Sequence, residues 1–165
     1  MLLTGNYERA LDEKLRLALP RAIREAFRDT KQLVLTPGTD GSLSLFASEE
    51  FANLAQRLAL RSPAGRDVRA FSRLLYAQSH SVEIDGQGRI RVPSELAALA
   101  SLEGNVMVLG VRDHVEVWNK SRWEAYFSEL QQQYDQLAEA AFSEPIASLT
   151  PDKPVIESMR PLQPR

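Results

Sequence analysis

Two segments of the chain place an aspartate four residues before an arginine. Asp12 precedes Arg16, and Asp85 precedes Arg89. A guanidinium group offers a planar fork of N–H donors that fits phosphate oxygens or the O6 and N7 atoms of guanine. The same arginine can instead pair with its aspartate and only hold a turn together. The spacing therefore predicts two turns that either contact DNA or are pinned by ion pairs.

The residues around these turns divide into DNA contacts and structural groups. Aspartate readily accepts backbone N–H groups in turns, so we assign Asp12 and Asp85 a structural role. Lys14 adds a cation to the first turn (residues 12–16), whereas the second turn (residues 85–89) has Gln87 at that position. Because Lys14 carries a positive charge, we expect the first turn to bind DNA better than the second. The candidate DNA-binding residues are Arg16, Lys14, Arg89, Arg91 and Arg21.

The two turns belong to an internal repeat with an offset of 73 residues. Residues 12–20 match residues 85–93, and residues 33–35 match residues 106–108. After a one-residue slip, residues 43–46 match residues 115–118, and the apolar positions of residues 51–58 match those of residues 123–130. Matching landmarks in the same order indicate two copies of one unit. We call them copy one and copy two.

Each copy has the same predicted elements. A strand leads into the turn, and a second strand ends at a proline, which suits the start of a helix; the helices are expected at residues 20–27 and 93–100. A hairpin follows, with its turn at residues 37–41 or 112–114. The closing helix begins near Ser48 in copy one. In copy two Ser121 and Glu124 form a capping box, and an apolar stripe continues to Ala141 for about five turns.

These elements predict four segments and an α+β fold. A first unit (1–60) is followed by a linker helix (61–78), a second unit with the long closing helix (79–142) and a proline-rich, disordered tail (143–165). Arg66, Arg69 and Arg73 form one face of the linker helix, which we expect to be solvated. Neither four-stranded unit covers its own apolar face. We therefore expect the copies to complete one pseudo-two-fold β-barrel with flanking helices.

Composition argues against several classes of protein. The chain has no cysteine, and His80 and His114 lack the spacing of metal ligands, so no metal is expected. Phosphate-binding glycine loops and nucleophile elbows are absent from the sequence, so we expect no enzyme, no cofactor and no small-molecule substrate. Without an apolar run near 20 residues or a signal-peptide pattern, we expect a cytoplasmic protein and no membrane partner.

The net charge of −2 hides an uneven distribution along the chain. Residues 1–112 carry 15 basic and 13 acidic side chains, whereas residues 113–165 carry five and nine. Residues 57–91 contain seven arginines against three acids. Because phosphate binding depends on where the charge lies, an acidic total is compatible with a basic, DNA-binding face.

The doubled Asp-x-x-x-Arg turn, each followed by a strand and a proline-started helix, resembles the MraZ family over roughly residues 1–140. The resemblance implies two swapped-hairpin units of the SpoVT-AbrB type and a ring-like homo-oligomer associated with the nucleoid. It also implies binding to double-stranded DNA, at short direct repeats upstream of the division and cell-wall gene cluster. The motif arginines and nearby basic residues would make the contacts.

Copy one departs from the family pattern immediately before its motif arginine. Copy two has Gly88 at this position, where the family usually has glycine, and copy one has Leu15. Glycine adopts a positive φ freely and leucine resists it. The sequence leaves open whether Leu15 alters the first turn.

These features favour a sequence-specific transcription regulator, specifically a repressor. The alternative is an antitoxin-like protein-binding module of the swapped-hairpin fold, in which a disordered tail wraps a toxin. The tail of this chain has few large apolar anchors, which weakens that reading. A third option is a purely structural ring-forming protein. Sequence-specific retardation of the chain's own promoter would separate the first class from the other two.

Overall fold

The computed structural model describes residues 2–30 and 32–143. The strands are β1 (Asn6–Ala10), β2 (Arg16–Ala18), β3 (Leu33–Pro37), β4 (Leu43–Ala47), β5 (His80–Val82), β6 (Arg89–Arg91), β7 (Asn105–Val111) and β8 (His114–Asn119). The helices are α1 (Arg21–Ala26), α2 (Ser48–Ala59), α3 (Arg66–Ala77), α4 (Ser94–Leu99), α5 (Lys120–Gln132) and α6 (Tyr134–Ser143). The predicted α+β class is confirmed.

Six strands form one antiparallel sheet in the order β1-β7-β8-β4-β3-β5, and β2 pairs with β6 in a separate two-stranded ribbon. Strands β1, β3 and β4 of copy one correspond to β5, β7 and β8 of copy two. Exchanging the copies therefore only reverses the order of the sheet. The first strand of each copy pairs with a strand of the other copy, β1 with β7 and β5 with β3.

The sheet is open, and the predicted closed barrel is not found in the described part of the chain. Its edges are β1 and the three-residue strand β5. The strands that would continue it, β2 and β6, pair with each other instead. A single bridge between Leu11 and Leu17 links the ribbon to the chain that follows β1. The separate pairing of β2 with β6 is the physical reason for the difference.

The ribbon and the short helices close the core from one side. Leu17 of β2 and Ile90 of β6 are 0% and 1% exposed, and Ile23 of α1 and Leu96 of α4 are equally buried. All four belong to the same hydrophobic cluster as the inner residues of the large sheet. Full burial of such a side chain stabilises the fold by about 1.5–3 kcal/mol. The ribbon is therefore anchored by its apolar face.

Helices α1, α2 and α4 lie where the sequence predicts them, with Pro20 and Pro93 directly before α1 and α4. Helix α3 begins at Arg66, later than the expected start at residue 61. The reason is a turn in which the N–H of Gly65 donates to the carbonyl of Ser62.

The predicted long helix of copy two is divided at Gln133, and its cap differs from the prediction. The N–H of Gln133 bonds to the carbonyl of Leu130, an i→i−3 bond that tightens the last turn of α5. The capping box at Ser121 is not formed, because α5 begins at Lys120 and Ser121 lies inside its first turn. The Oδ1 atom of Asn119 accepts the N–H of Arg122 at 3.1 Å and caps the helix instead.

The described residues divide into two compact units, one ending at Phe127 and the other beginning at Ser128. The first contains all eight strands, so both copies contribute to one sheet and one ribbon. The second contains the end of α5 and the whole of α6. Ser143 ends α6, and the rest of the tail expected at residues 143–165 lies outside the described residues.

Candidate nucleic-acid interface

The first turn is organised around the carboxylate of Asp12. Its Oδ1 atom accepts the N–H of Lys14 at 2.9 Å and the N–H of Arg16 at 2.8 Å. Its Oδ2 atom accepts Nε of Arg16 at 2.7 Å. The N–H of Leu15 donates to the carbonyl of Asp12, which closes the turn. One carboxylate thus holds both the backbone and the arginine.

The second turn repeats this pattern bond by bond. Asp85 Oδ1 accepts the N–H groups of Gln87 and Arg89, at 2.9 and 3.0 Å. Its Oδ2 atom lies 2.9 Å from both Nε and Nη2 of Arg89. In both turns the aspartate therefore satisfies backbone donors and also pairs with the motif arginine.

Leu15 does not change the geometry of the first turn. Its φ is 57°, in the same left-handed region as Gly88 at 77°. A left-handed conformation costs a residue with a Cβ atom about 1–2 kcal/mol. The Leu15 side chain is partly buried against the hydrophobic core, which offsets this strain. The question left open by the sequence is thereby answered.

The backbone hydrogen bonds also lower the pKa values of the two aspartates. The bond from the N–H of Arg16 is the largest influence lowering the pKa of Asp12, and the bond from the N–H of Arg89 does the same for the pKa of Asp85. A carboxyl whose pKa is lowered by folding stabilises the fold above its unfolded pKa. That contribution is lost as the pH falls through the folded pKa.

We expect Asp85→Ala to lower the Tm by several degrees while leaving DNA affinity per folded molecule nearly unchanged. The backbone donors of Gln87 and Arg89 lose their acceptor. Asp85→Asn is the matched control, because its amide oxygen can still accept both N–H groups. The difference in Tm between wild type and Asp85→Ala should shrink as the pH falls below about 3.8. Unchanged melting combined with lost DNA binding would contradict this role for Asp85.

The ribbon presents three arginines on one face. In its register Arg16 lies opposite Arg91, and Ala18 lies opposite Arg89. Side chains alternate between the two faces of a strand, and the intervening Leu17 and Ile90 point into the core. The three arginines therefore share the outer face of the ribbon. We call this surface the arginine face (Arg16, Arg89 and Arg91).

The cations near the ribbon differ in how many donors they have free. The side chains of Lys14 and Arg91 are exposed, and neither forms a hydrogen bond or ion pair within the described residues. Arg16 uses Nε for Asp12, and its side chain is 37% exposed. Arg89 uses both Nε and Nη2 for Asp85 and is 24% exposed. Arg16 therefore keeps more donors for a ligand than Arg89.

Two arginines of α1 lie beside this region. Arg21 pairs with Glu25 at 2.7 Å, which raises the pKa of Arg21, so its charge is already partly matched. Arg24 is not among the residues predicted to bind DNA, but its side chain lies against Gly88 of the second turn. The repeat aligns Arg24 with Ala97, and this extra charge in copy one is a signal that could have identified it.

Other predicted features take up structural positions. In the linker helix α3, Nη1 of Arg69 donates to the carbonyls of Pro63 and Ala64, which holds the start of the helix. His114 lies between Asp113 and Glu116 and stacks on Phe46. Within residues 2–30 and 32–143, no group of three His, Cys, Asp or Glu side chains could hold a metal ion. No helix in these ranges is long and apolar enough to cross a membrane.

Comparison with known proteins places the chain in a family. The family model described as "MraZ protein, putative antitoxin-like" matches residues 2–74 and again residues 75–144, in agreement with the internal repeat. A protein of Thermomicrobium roseum named "Transcriptional regulator MraZ" is 43% identical over 73% of this chain and 84% of its own length. Proteins of the same name from Acetivibrio thermocellus and Ligilactobacillus salivarius are 38% and 37% identical, over 82% of this chain and 93% of their own lengths. The chain belongs to the MraZ family of transcription regulators.

Proposed function

We propose that the chain is a sequence-specific DNA-binding repressor that inserts the β2-β6 ribbon into the major groove. The observation that carries this proposal is the arginine face, three arginines held outward by the burial of Leu17 and Ile90. The major groove of B-DNA is about 12 Å wide and admits a two-stranded ribbon. A ribbon anchored by its apolar face is rigid enough to present these donors in fixed register.

The arrangement suggests a division of roles among the cations. Arg16 and Arg91 lie opposite each other and have free Nη donors, so they suit bidentate contacts with guanine. Lys14 projects from the first turn without a partner among the described residues and suits a phosphate. Arg89 would contribute through its remaining Nη1 group. Arg21 would reach a phosphate only by loosening its pair with Glu25.

The finer features implied by the family are part of the same proposal. The pairing of β1 with β7 and of β5 with β3 supports two swapped-hairpin units, residues 1–60 and 79–142, joined by a linker helix at residues 61–78. The assembled protein would be a ring of identical chains in the cytoplasm, associated with the nucleoid. Its operator would be short direct repeats upstream of the division and cell-wall gene cluster.

A mobility-shift experiment on the DNA upstream of the chain's own gene tests the proposal. We expect retardation of this fragment at protein concentrations that leave a shuffled fragment of equal length and composition free. Non-specific binding is expected only near 10⁻⁴–10⁻⁶ M, about a thousandfold weaker or more. Equal retardation of both fragments at the same protein concentration would refute sequence-specific recognition.

The second candidate is an antitoxin-like protein-binding module, which the wording of the family description favours. Such a module would act through a bound protein rather than through its ribbon. A wild-type protein that retards no fragment specifically would favour the module. Substitution of Arg91 by alanine tests whether specific retardation depends on the ribbon, because the Arg91 side chain is exposed on the arginine face and makes no hydrogen bond or ion pair within the described residues. Loss of specific retardation in this variant supports DNA binding through the ribbon, and retardation equal to wild type would show that Arg91 is not a DNA contact.

A further inference from the structure

We propose that the second turn is a composite DNA contact, in which Arg24 of copy one supplies the free cation that residues 85–89 lack. This inference rests on the proposed DNA-binding function and extends it to a residue outside both turns. It follows from the charge of the two turns, the packing at Gly88 and the asymmetry of the repeat.

The two turns have the same backbone, but only the first contains a cation without a side-chain partner within the described residues. The first turn carries Lys14, whose ammonium group makes no ion pair within the described residues. At the equivalent place the second turn carries the neutral Gln87. Its motif arginine, Arg89, is bound to Asp85 through two nitrogens. Taken alone, the second turn has little charge to offer to a phosphate.

Arg24 lies where that missing charge is needed. A Cβ atom added at Gly88 would be 2.5 Å from Cδ, 2.6 Å from Nη1 and 3.0 Å from Cζ of Arg24. These separations are far shorter than ordinary van der Waals contacts, so a Cβ atom at this place would displace the Arg24 side chain from its present position. The N–H of Leu19 donates to the carbonyl of Gly88 at 3.0 Å, which fixes the second turn beside the strand that leads into α1.

The repeat shows that this packing occurs at one of two equivalent places in the molecule. The residues equivalent to Gly88 and Arg24 are Leu15 and Ala97. Arg24 of copy one therefore lies beside a glycine of copy two. At the equivalent positions the turn of copy one carries Leu15 and the helix of copy two carries Ala97, which has no charge.

The consequence is that each turn has one cation free of a side-chain partner, supplied by a different route. Each has a motif arginine held by its aspartate and one further exposed cation, Lys14 within the first turn and Arg24 beside the second. The side chain of Arg24 is exposed and makes no hydrogen bond or ion pair within the described residues. Two similar ends of the ribbon can then bind the two phosphate backbones that border one groove.

The test compares Arg24→Gln with Arg28→Gln. Glutamine keeps much of the stem over Gly88 and removes the charge, and Arg28 is an exposed arginine four residues further along, just past the end of α1. We expect Arg24→Gln to weaken binding to the upstream DNA several-fold. It should also reduce the slope of log K against log salt by about 0.9 for each bound chain. Arg28→Gln should change both quantities much less, and both variants should melt like wild type.

A rescue experiment identifies the cause. Adding Gln87→Lys to Arg24→Gln rebuilds the charge in the way copy one does, and we expect it to restore both the affinity and the salt slope. Equal affinities and salt slopes of Arg24→Gln and Arg28→Gln would overturn the composite contact. Failure of the rescue would do the same. Either result would leave the proposed function intact. A wild-type protein that does not retain its upstream DNA specifically would overturn the proposed function and this inference together.

Discussion

Replacement of Arg16 by alanine is expected to abolish specific binding of the upstream DNA while leaving the protein folded. Arg16 has free Nη donors on the arginine face, and loss of a bidentate base contact costs about 1–3 kcal/mol. When several chains bind together, the loss is multiplied through avidity. The fold should survive because alanine keeps the backbone N–H that donates to Asp12, and the adjacent Leu17 stays buried. The measurements are a mobility shift and a thermal melt.

Two control variants separate DNA contact from a purely structural role of Arg16. Asp12→Asn breaks the ion pair but keeps an oxygen for the N–H groups of Lys14 and Arg16, so we expect it to bind DNA. If Arg16 acted only by pinning the turn, Asp12→Asn would lose binding as well. Arg73→Ala also removes one positive charge, but from the exposed surface of α3, outside both turns. This variant should bind DNA nearly as well as wild type. An Arg16→Ala protein that shifts the DNA like wild type would refute the assignment.

The repeat could be predicted from the sequence because it depends on local patterns. Alternation of apolar residues on either side of Leu17 and Ile90 marks the strands, and Pro20 and Pro93 mark the helix starts. These signals depend on backbone preferences and on burial, which act within a few residues. The family match to each half of the chain confirms the two copies.

Strand pairing and the ends of the helices cannot be predicted from such local signals. Nothing in the sequence of β2 indicates that its partner is β6 rather than a strand of the large sheet, and this choice decides between a closed barrel and an open sheet. The apolar stripe of copy two continues past Gln133, so periodicity alone predicts one helix where the structure has two. Asn119 competes with Ser121 as a cap, and only the hydrogen bond to Arg122 distinguishes them.

The candidate DNA-binding residues were predictable to the extent that they lie in the motif. The sequence identifies Arg16 and Arg89 by spacing, but the register that brings Arg91 opposite Arg16 is a tertiary property. Arg24 approaches Gly88 across 64 residues of chain, and no local pattern links them. Leu15 shows the opposite case, since local preference argues against its φ and packing against the core overrides it.

Exposed apolar surface is the structural reason to expect an oligomer. In the unit Met1–Phe127, helix α3 exposes Phe71 (49%) and Leu74 (61%) to solvent. In the unit Ser128–Arg165, helix α6 exposes Tyr134 and Phe142. Apolar side chains that cluster on a helix surface mark sites of protein association. Covering them with further copies of the chain in head-to-tail contacts would close a ring if the rotation permits.

We expect the protein to be a closed homo-oligomer and its tight binding to require DNA with several operator repeats. One chain has a net charge of −2 and only two motif turns, so it releases few counterions and should bind duplex DNA near the non-specific range of about 10⁻⁴–10⁻⁶ M. Linked binding sites can raise the affinity by about 10²–10⁴, and a ring would present its ribbons at regular spacing, as direct repeats require. The measurements are light scattering and titration of DNA carrying one, two or three repeats.

Leu74→Glu should dissociate the oligomer and remove the gain from added repeats, whereas Ala52→Glu adds the same charge on the exposed surface of α2 and should do neither. A monomer in solution, or an affinity independent of the number of repeats, would contradict this expectation.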